Sequence, residues 1–244
     1  MRTANRVMHQ NWETAKISVI IPMLNEETNI ELAIASTRSA PAVEVIAVDG
    51  GSADGTVALA KSLGATVLST TTGRARQMNA GAKAATGEIL LFLHADTRLP
   101  VGFADLVRAA LASEGAVVAG AFSLKIDGAP RLLRWIERGV NWRSRLFQLP
   151  YGDQAIFLRA DTFDKAGGFP EQPIMEDFEL VRRLQRSGKI AIVPEPAVTS
   201  ARRWLQSGVF ATTLVNQLVI LGYLLGCDRE RLRQLYRRKK YWRF

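Results

Sequence analysis

Four short apolar runs alternate with four stretches of helical character across the first 110 residues, and that alternation leaves few folds open. The runs are residues 17–21, 45–49, 66–69 and 88–93; the helical stretches are 27–39, 56–63, 74–85 and 103–113. The runs are apolar on both alternating faces, so each strand needs cover above and below. Strands joined by helices satisfy this as a parallel sheet with helices on both sides. Pro22 is expected to stop the first strand, and Pro41 the first helix. Asp54 has the character of an N-cap, and Gly64 that of the residue closing a helix. Further on, 117–126, 155–158 and 190–193 read as strands and 130–145 as an amphipathic helix. The expected class is α/β, with a mostly parallel central sheet. At 244 residues and 48% apolar content the chain supports one full core.

Three acids stand where such a sheet places its chemistry. Asp49 closes one apolar run, Asp96 follows another, and Asp177 opens a helical pattern together with Glu176. Ligands of open α/β sheets bind beyond the carboxyl ends of the strands. Asp49, followed by Gly50 and Gly51, is placed to accept hydrogen bonds from a base or ribose, though an Asp before glycine also serves plain turns. His94 and Asp96 lie two residues apart and face one way in extended backbone. One carboxylate plus a diphosphate is a normal set for Mg²⁺ or Mn²⁺, and His94 is a candidate additional ligand more natural for Mn²⁺. A carboxylate fixed at a helix start can take a proton from a hydroxyl, although acids there also serve the helix dipole alone. Arg74 and Arg76 begin a helix and can reach phosphate oxygens. Arg203, beside Trp204, can neutralise a departing diphosphate. Neither a dinucleotide G-x-G-x-x-G nor a P-loop occurs.

Charge points to anionic partners. The chain carries 32 Lys and Arg against 23 Asp and Glu, a net +9. From Arg229 onward there are eight basic residues, one acid and four aromatics. Residues 209–226 are largely apolar and about the length of a span, but Asn216 and Gln217 interrupt them. An interfacial or buried helix fits better than a crossing one. The one cysteine, Cys227, forms no intramolecular disulfide, and residues 1–16 are polar with no apolar signal core. These features lead us to expect a cytoplasmic protein, with peripheral contact to the inner face of the cell membrane. The expected division is an N-terminal extension at 1–16, a catalytic domain at 17–205, and an apolar helix with a basic tail at 206–244.

Taken together, the tracts Ser18–Glu26, Val48–Thr56, Gly73–Gly81, Leu93–Thr97, Gly167–Phe169 and Met175–Asp177 resemble the family 2 glycosyltransferases, in order and in spacing. The resemblance implies the GT-A-type nucleotide-diphospho-sugar transferase fold with added C-terminal helices. It implies a metal-dependent, inverting hexosyl transfer from a nucleotide-diphosphate sugar, UDP-sugar favoured, to a hydroxyl or carboxylate acceptor. Pro22, Asn25, Glu26, Asp49, Gly51, Arg74, Arg76, His94 and Ala95 would then form the donor side. Asp96 would bind Mn²⁺ or Mg²⁺, and Asp177 would be the base, with Glu176 and Arg203 beside it. Gly152, Asp153, Gln154 and Trp204 would lie on the acceptor side. Ser200 stands where the Gln-x-x-Arg-Trp motif has glutamine, which argues against a polysaccharide synthase. The compact pattern is also similar to a subgroup proposed to glycosylate carotenoid acids, which implies a lipidic acceptor such as a carotenoid or polyprenyl species.

Three other readings compete. A sugar-1-phosphate nucleotidyltransferase would carry a glycine-rich basic loop after the first strand, where this chain has Met23-Leu24-Asn25-Glu26. A haloacid-dehalogenase-type phosphatase needs an Asp-x-Asp pair there, which Pro22-Met23 does not supply. A binding protein without transferase activity, for sugar nucleotides, membrane or nucleic acid, would draw on the basic C-terminus; a nucleic-acid partner is not expected.

Overall fold

The computed structural model describes residues 12–38, 40–113 and 116–237. The N-terminal extension up to residue 11 and the basic tail beyond residue 237 therefore lie outside the described residues. The elements are β1 (Ile17–Met23), α1 (Ile30–Ala35), β2 (Val43–Asp49), α2 (Thr56–Ser62), β3 (Thr66–Ser69), α3 (Arg74–Ala84), β4 (Ile89–Phe92), β5 (Thr97–Arg98), α4 (Phe103–Ala112), β6 (Val117–Asp127), α5 (Arg131–Phe147), β7 (Phe157–Arg159), α6 (Ala160–Lys165), α7 (Glu176–Gln185), β8 (Lys189–Ser200), α8 (Arg202–Ser207), α9 (Val209–Leu224) and α10 (Arg229–Arg237).

All eight strands form one sheet in the order β3-β2-β1-β4-β7-β6-β8-β5. The first half is parallel, as the alternation predicts. In the second half β7 runs antiparallel to both neighbours, β8 rejoins β6 in parallel, and β5 closes the edge antiparallel to β8. The sheet is covered on both faces. Ile17, Val19 and Ile21 pack with Ile30 and Ile34 of α1 and Phe103 and Val107 of α4. Ile20, Ile46 and Val48 pack with Met78 of α3 and Leu180 of α7 on the other face. This explains why the strands read as unbroken apolar runs.

Two strands outrun their expected limits, both through proline. β1 continues past Pro22, because Leu93 N–H donates to the Ile20 carbonyl and residues of that parity point toward β4. The β1–β4 ladder ends at the Ile20–Phe92 pair. The missing N–H of Pro22 therefore costs no ladder bond. β8 was expected to end at Val193 but reaches Ser200. Its pairing with β6 jumps from Phe122–Val193 to Ser123–Pro196, a bulge that absorbs Pro194.

The sheet is curled, and chain length requires it. β4 and β5 are four strand spacings apart, roughly 19 Å in a flat sheet. Five residue steps, from Phe92 to Thr97, reach roughly 17 Å at full extension. The loop holding His94 and Asp96 thus spans a closed curve. Ser200 N–H secures it on the Asp96 carbonyl (3.0 Å), and the Thr97 and Thr199 hydroxyls meet at 3.1 Å.

Gln77 of α3 ties the open ends of the first strands. Its buried side-chain amide donates to the carbonyls of Met23 (2.9 Å) and Val48 (2.8 Å). Leucine would fill the volume but leave those bonds unmade. Gln77→Leu is expected to lower unfolding free energy by about 1–3 kcal/mol. Urea denaturation should show a lower midpoint at unchanged slope; an unmoved midpoint would count against this tie.

Candidate active site

The expected site residues gather in two adjoining places at the carboxyl ends of the strands. The first is the pair of loops after β1 and β2. Asn25, held at φ 53°, accepts from Ala53 N–H (2.9 Å), while its own N–H donates to the Ser52 hydroxyl (2.9 Å). The buried Asp49 carboxylate accepts from Gly51 N–H (2.9 Å) and Ser52 N–H (3.1 Å). Gly51 takes φ +99°, which favours glycine. Pro22, Asn25, Asp49 and Gly51 thus form one braced ledge.

The second place is a cleft of about 280 Å³. His94, Asp96, Arg74, Gly152, Asp153, Asp177, Arg203 and Trp204 all line it. Glu26 joins ledge to cleft: it accepts from Arg202 at 2.7 Å, and Arg202 lies 4.0 Å from Asp96. Burial and the Glu26 charge push the Asp96 carboxyl up, against the pull of Arg202. A carboxylate so placed gains from a further cation.

Asp177 is held most firmly. It sits in the first turn of α7, after Met175 in the left-handed region at φ 67°. Its Oδ2 accepts from Gly152 N–H (2.8 Å) and its Oδ1 from Phe178 N–H (2.8 Å). Burial alone would raise its pKa; Arg74, the two N–H donors and His94 outweigh burial and hold it below the usual carboxylate range. Glu176 is buried and ion-paired with Arg74. His94 is driven down to about 3 by burial and by Arg74, against Asp177. It is therefore neutral at pH 7, the form that offers a ring nitrogen to a metal. Gly152 is wedged between them. A Cβ there would meet His94 Nε2 at 2.7 Å and Asp177 Oδ2 at 3.0 Å.

Some expected residues take other places. Arg76 pairs with Glu171 (3.0 Å) on the exposed side of a neighbouring cavity. Gln154 is fully buried and does not face the cleft. Its amide accepts from the Ser144 hydroxyl (2.8 Å) and Tyr151 N–H (3.2 Å) and donates to the Phe122 carbonyl (2.9 Å), so it braces the turn at 151–155. Ala95 is buried in the core. Arg203 stacks on the Tyr236 ring, 3.5 Å from its centroid, while Arg202 stands next to Asp96. Tyr151, Phe178, Asn216, Ile220 and Tyr236 also line the cleft. Tyr151 shares the turn with the expected Gly152 and Asp153; Phe178, Asn216, Ile220 and Tyr236 were given no role in the site by sequence reasoning. Among the described residues no three His, Cys, Asp or Glu side chains cluster as a self-sufficient metal centre.

The family model for glycosyl transferase family 2 matches residues 18–169. The chain belongs to that family, and its reaction class is glycosyl transfer. Among solved structures, a mannosyltransferase from Pyrobaculum calidifontis in complex with GDP-Man and Mn²⁺ is similar at 19% identity and TM-score 0.63, covering 92% of this chain and 71% of that one. Glucosyl-3-phosphoglycerate synthase from Mycobacterium tuberculosis, in complex with Mn²⁺, UDP and glucosyl-3-phosphoglycerate, is similar at 21% identity and TM-score 0.58, covering 88% and 81%. TarS of S. aureus, residues 1–349, matches at 16% identity and TM-score 0.58, covering 92% and 71%. At such identities the likeness shows the fold, which is that of GT-A-type transferases. No curated protein sequence matches.

Asp153 gives the cleft a pH signature. Burial and the nearby Asp177 and Asp96 charges push its carboxyl up to about 6, against Arg143 and Arg74. A carboxyl raised in the folded state makes the native protein bind more protons than the unfolded chain between the two pKa values. Stability therefore falls as pH rises from about 4, the unfolded value, to about 6, and stays lowered above that. Asp153→Asn removes this loss. With chelator present, the variant is expected to be more stable than wild type by about 1–3 kcal/mol at pH 7, with the gain vanishing below about pH 4. Parallel stability profiles across that window would contradict the assignment.

Proposed function

We propose that the protein moves a sugar from a nucleotide-diphosphate donor, UDP-sugar favoured, onto an acceptor hydroxyl with inversion at the anomeric carbon. The observation that carries this reading is the fixed Asp177 carboxylate, ionised and facing the cleft, with Asp96 on the same cleft and the braced ledge beside it. Pro22, Asn25, Glu26, Asp49 and Gly51 take the nucleoside side. The Asp177 carboxylate takes the proton of the acceptor hydroxyl as its oxygen bonds to the anomeric carbon. The bond to the diphosphate breaks on the opposite face. Arg203, and Arg202 beside Asp96, supply positive charge near the leaving group.

Asp96 and the neutral His94 suit a divalent metal, and the P. calidifontis and M. tuberculosis proteins were solved with Mn²⁺. Asp96 and His94 would hold such an ion, which would supply Lewis-acid neutralisation of the departing charge. The test is hydrolysis and transfer of UDP-glucose with and without Mn²⁺. Asp177→Asn should cut turnover by about 10²–10⁴ with donor affinity kept within a few-fold. Asp96→Ala should remove the Mn²⁺ dependence. Near wild-type turnover in the first variant reduces Asp177 to a helix-capping acid.

The C-terminal helices support peripheral membrane contact. No described helix is long and apolar enough to cross a membrane. α9 instead buries Val215 and Val219 against Phe178 and turns Phe210, Leu214, Leu218, Leu221 and Leu224 outward, with Phe210 78% exposed. α10 and the basic tail follow it. Each Lys or Arg near an anionic surface contributes about 1 kcal/mol. Co-sedimentation with vesicles should rise with anionic lipid, weaken with salt, and fall when residues 229–244 are removed. Equal recovery in the supernatant with and without acidic vesicles rejects membrane contact.

A further inference from the structure

α5 carries an apolar stripe on each of two sides, and the fold uses one of them. Leu133, Ile136 and Val140 pack against Leu124 and Ile126 of β6 and Trp204 of α8. On the other side Trp135, Trp142 and Leu146 recur two turns and then one turn apart, so they form a single outward stripe. Trp135 is 67% exposed and Trp142 62%. Phe147 extends the stripe through an edge contact with Trp142, 5.8 Å between ring centroids. The remaining exposed residues of the helix are Arg131, Arg138, Arg145 and Gly139. Arg138 lies over the Trp135 ring, 5.2 Å from its centroid. The one acid of α5, Glu137, is buried and paired with Arg134 (3.0 Å). Large apolar side chains grouped in this way on one exposed helix face mark a surface that meets a partner.

We propose that the outward stripe of α5 docks on an anionic phospholipid bilayer, the helix lying in the interface with its tryptophans among the headgroups. This contact goes beyond the one at α9 and α10, because neither of those helices supplies it. The chemistry of the stripe selects the occupant. Its polar groups are guanidinium and indole N–H, which only donate. The phosphate and ester oxygens of a phospholipid only accept, and guanidinium meets phosphate bidentately. Tryptophan collects at membrane boundaries, where the N–H stays in the polar layer and the ring meets the acyl chains. Arginine stems lie along such a surface while their heads stay at the phosphates. A protein–protein interface carries about ten hydrogen bonds, and the exposed side chains of α5 offer no acceptor to one. A symmetric second copy would set the same arginines against each other with no acid on either helix face. The placement also bears on the cleft. On the inner side of α5 the Ser144 hydroxyl bonds Gln154, in the turn that seats Asp177 (2.8 Å). Lipid on the outer side is thus one helix diameter, about 10 Å, from that turn.

The test sediments the full chain with vesicles of phosphatidylcholine alone and of equimolar phosphatidylcholine and phosphatidylglycerol. Trp135→Gln and Trp142→Gln should each weaken binding to the mixed vesicles about tenfold. Arg131→Gln and Arg138→Gln should each weaken it about fivefold, and only where the lipid is anionic. Thermal melts identify any variant that fails to fold. Unchanged vesicle affinity in the folded tryptophan and arginine variants overturns the proposal and leaves the C-terminal contact standing. Binding that depends on Trp135 and Trp142 but is unmoved by removal of residues 229–244 does the reverse: it removes the C-terminal contact and supports the α5 site. Failure of the wild type to bind either vesicle overturns both. A dimer in sedimentation velocity that the tryptophan variants dissociate assigns the stripe to a second copy and also overturns the proposal.

Discussion

A hydrogen bond joins two walls of the Asp177 cleft: Gly152 N–H to Asp177 Oδ2. The turn at 151–155 arrives from α5, and the acid arrives on α7. Nothing larger than a hydrogen at position 152 leaves room for both Asp177 and His94. The turn is rigid in its own right, because Gln154 bonds three separate partners in the core. Arg143 adds to this by stacking on Tyr151, 3.7 Å from the ring centroid. The carboxylate is thus fixed before any ligand arrives, which is how a protein pre-organises a group for proton transfer without reordering it during the reaction.

Fixing Asp177 has an electrostatic side. Arg74 touches Glu176 and acts at a distance on Asp177, His94 and Asp153. One guanidinium therefore helps keep one acid ionised and, together with burial, one imidazole neutral. Asp153, in the same cleft, goes the other way because burial and two like charges dominate there. Environments that push neighbouring titratable groups apart are how one site assigns different roles to similar side chains.

The parallel half-sheet was legible because its strands are buried on both faces, so their runs have no polar interruption. Asp49, Asp96 and Asp177 were legible because each sits at the end of an apolar run or the start of a helix. The second half was harder. β8 passes two prolines by a bulge whose compensation lies in β6, seventy residues away, where no local pattern records it. Gln154 reads as a polar neighbour of Asp153, but only packing shows that it turns inward. Asn216 is the instructive case. Its polarity inside an apolar stretch was visible and argued against a membrane span. The structure shows that this helix turns one flank to the cleft and the other to the exterior, and the polar residue lies on the cleft flank. Arg202 and Arg203 were equally visible, and only the pairing with Glu26 distinguishes them.

The curl of the sheet has a consequence for how the molecule comes together. The ledge of β1 and β2 is built from residues within about one βαβ unit, so it is closed by short-range contacts that form quickly. The Asp96 loop is different. Its far end is pinned by Thr199 and Ser200, a hundred residues downstream. β5 lies beside α1, and the next residue, Leu99, donates its N–H to the Ser36 hydroxyl (3.1 Å), but the strand pairing of β5 depends on β8. The ledge therefore closes within a short stretch of chain while the Asp96 loop depends on distant strands, and a fragment ending before β8 carries Asp96 in its sequence without the pairing that positions it.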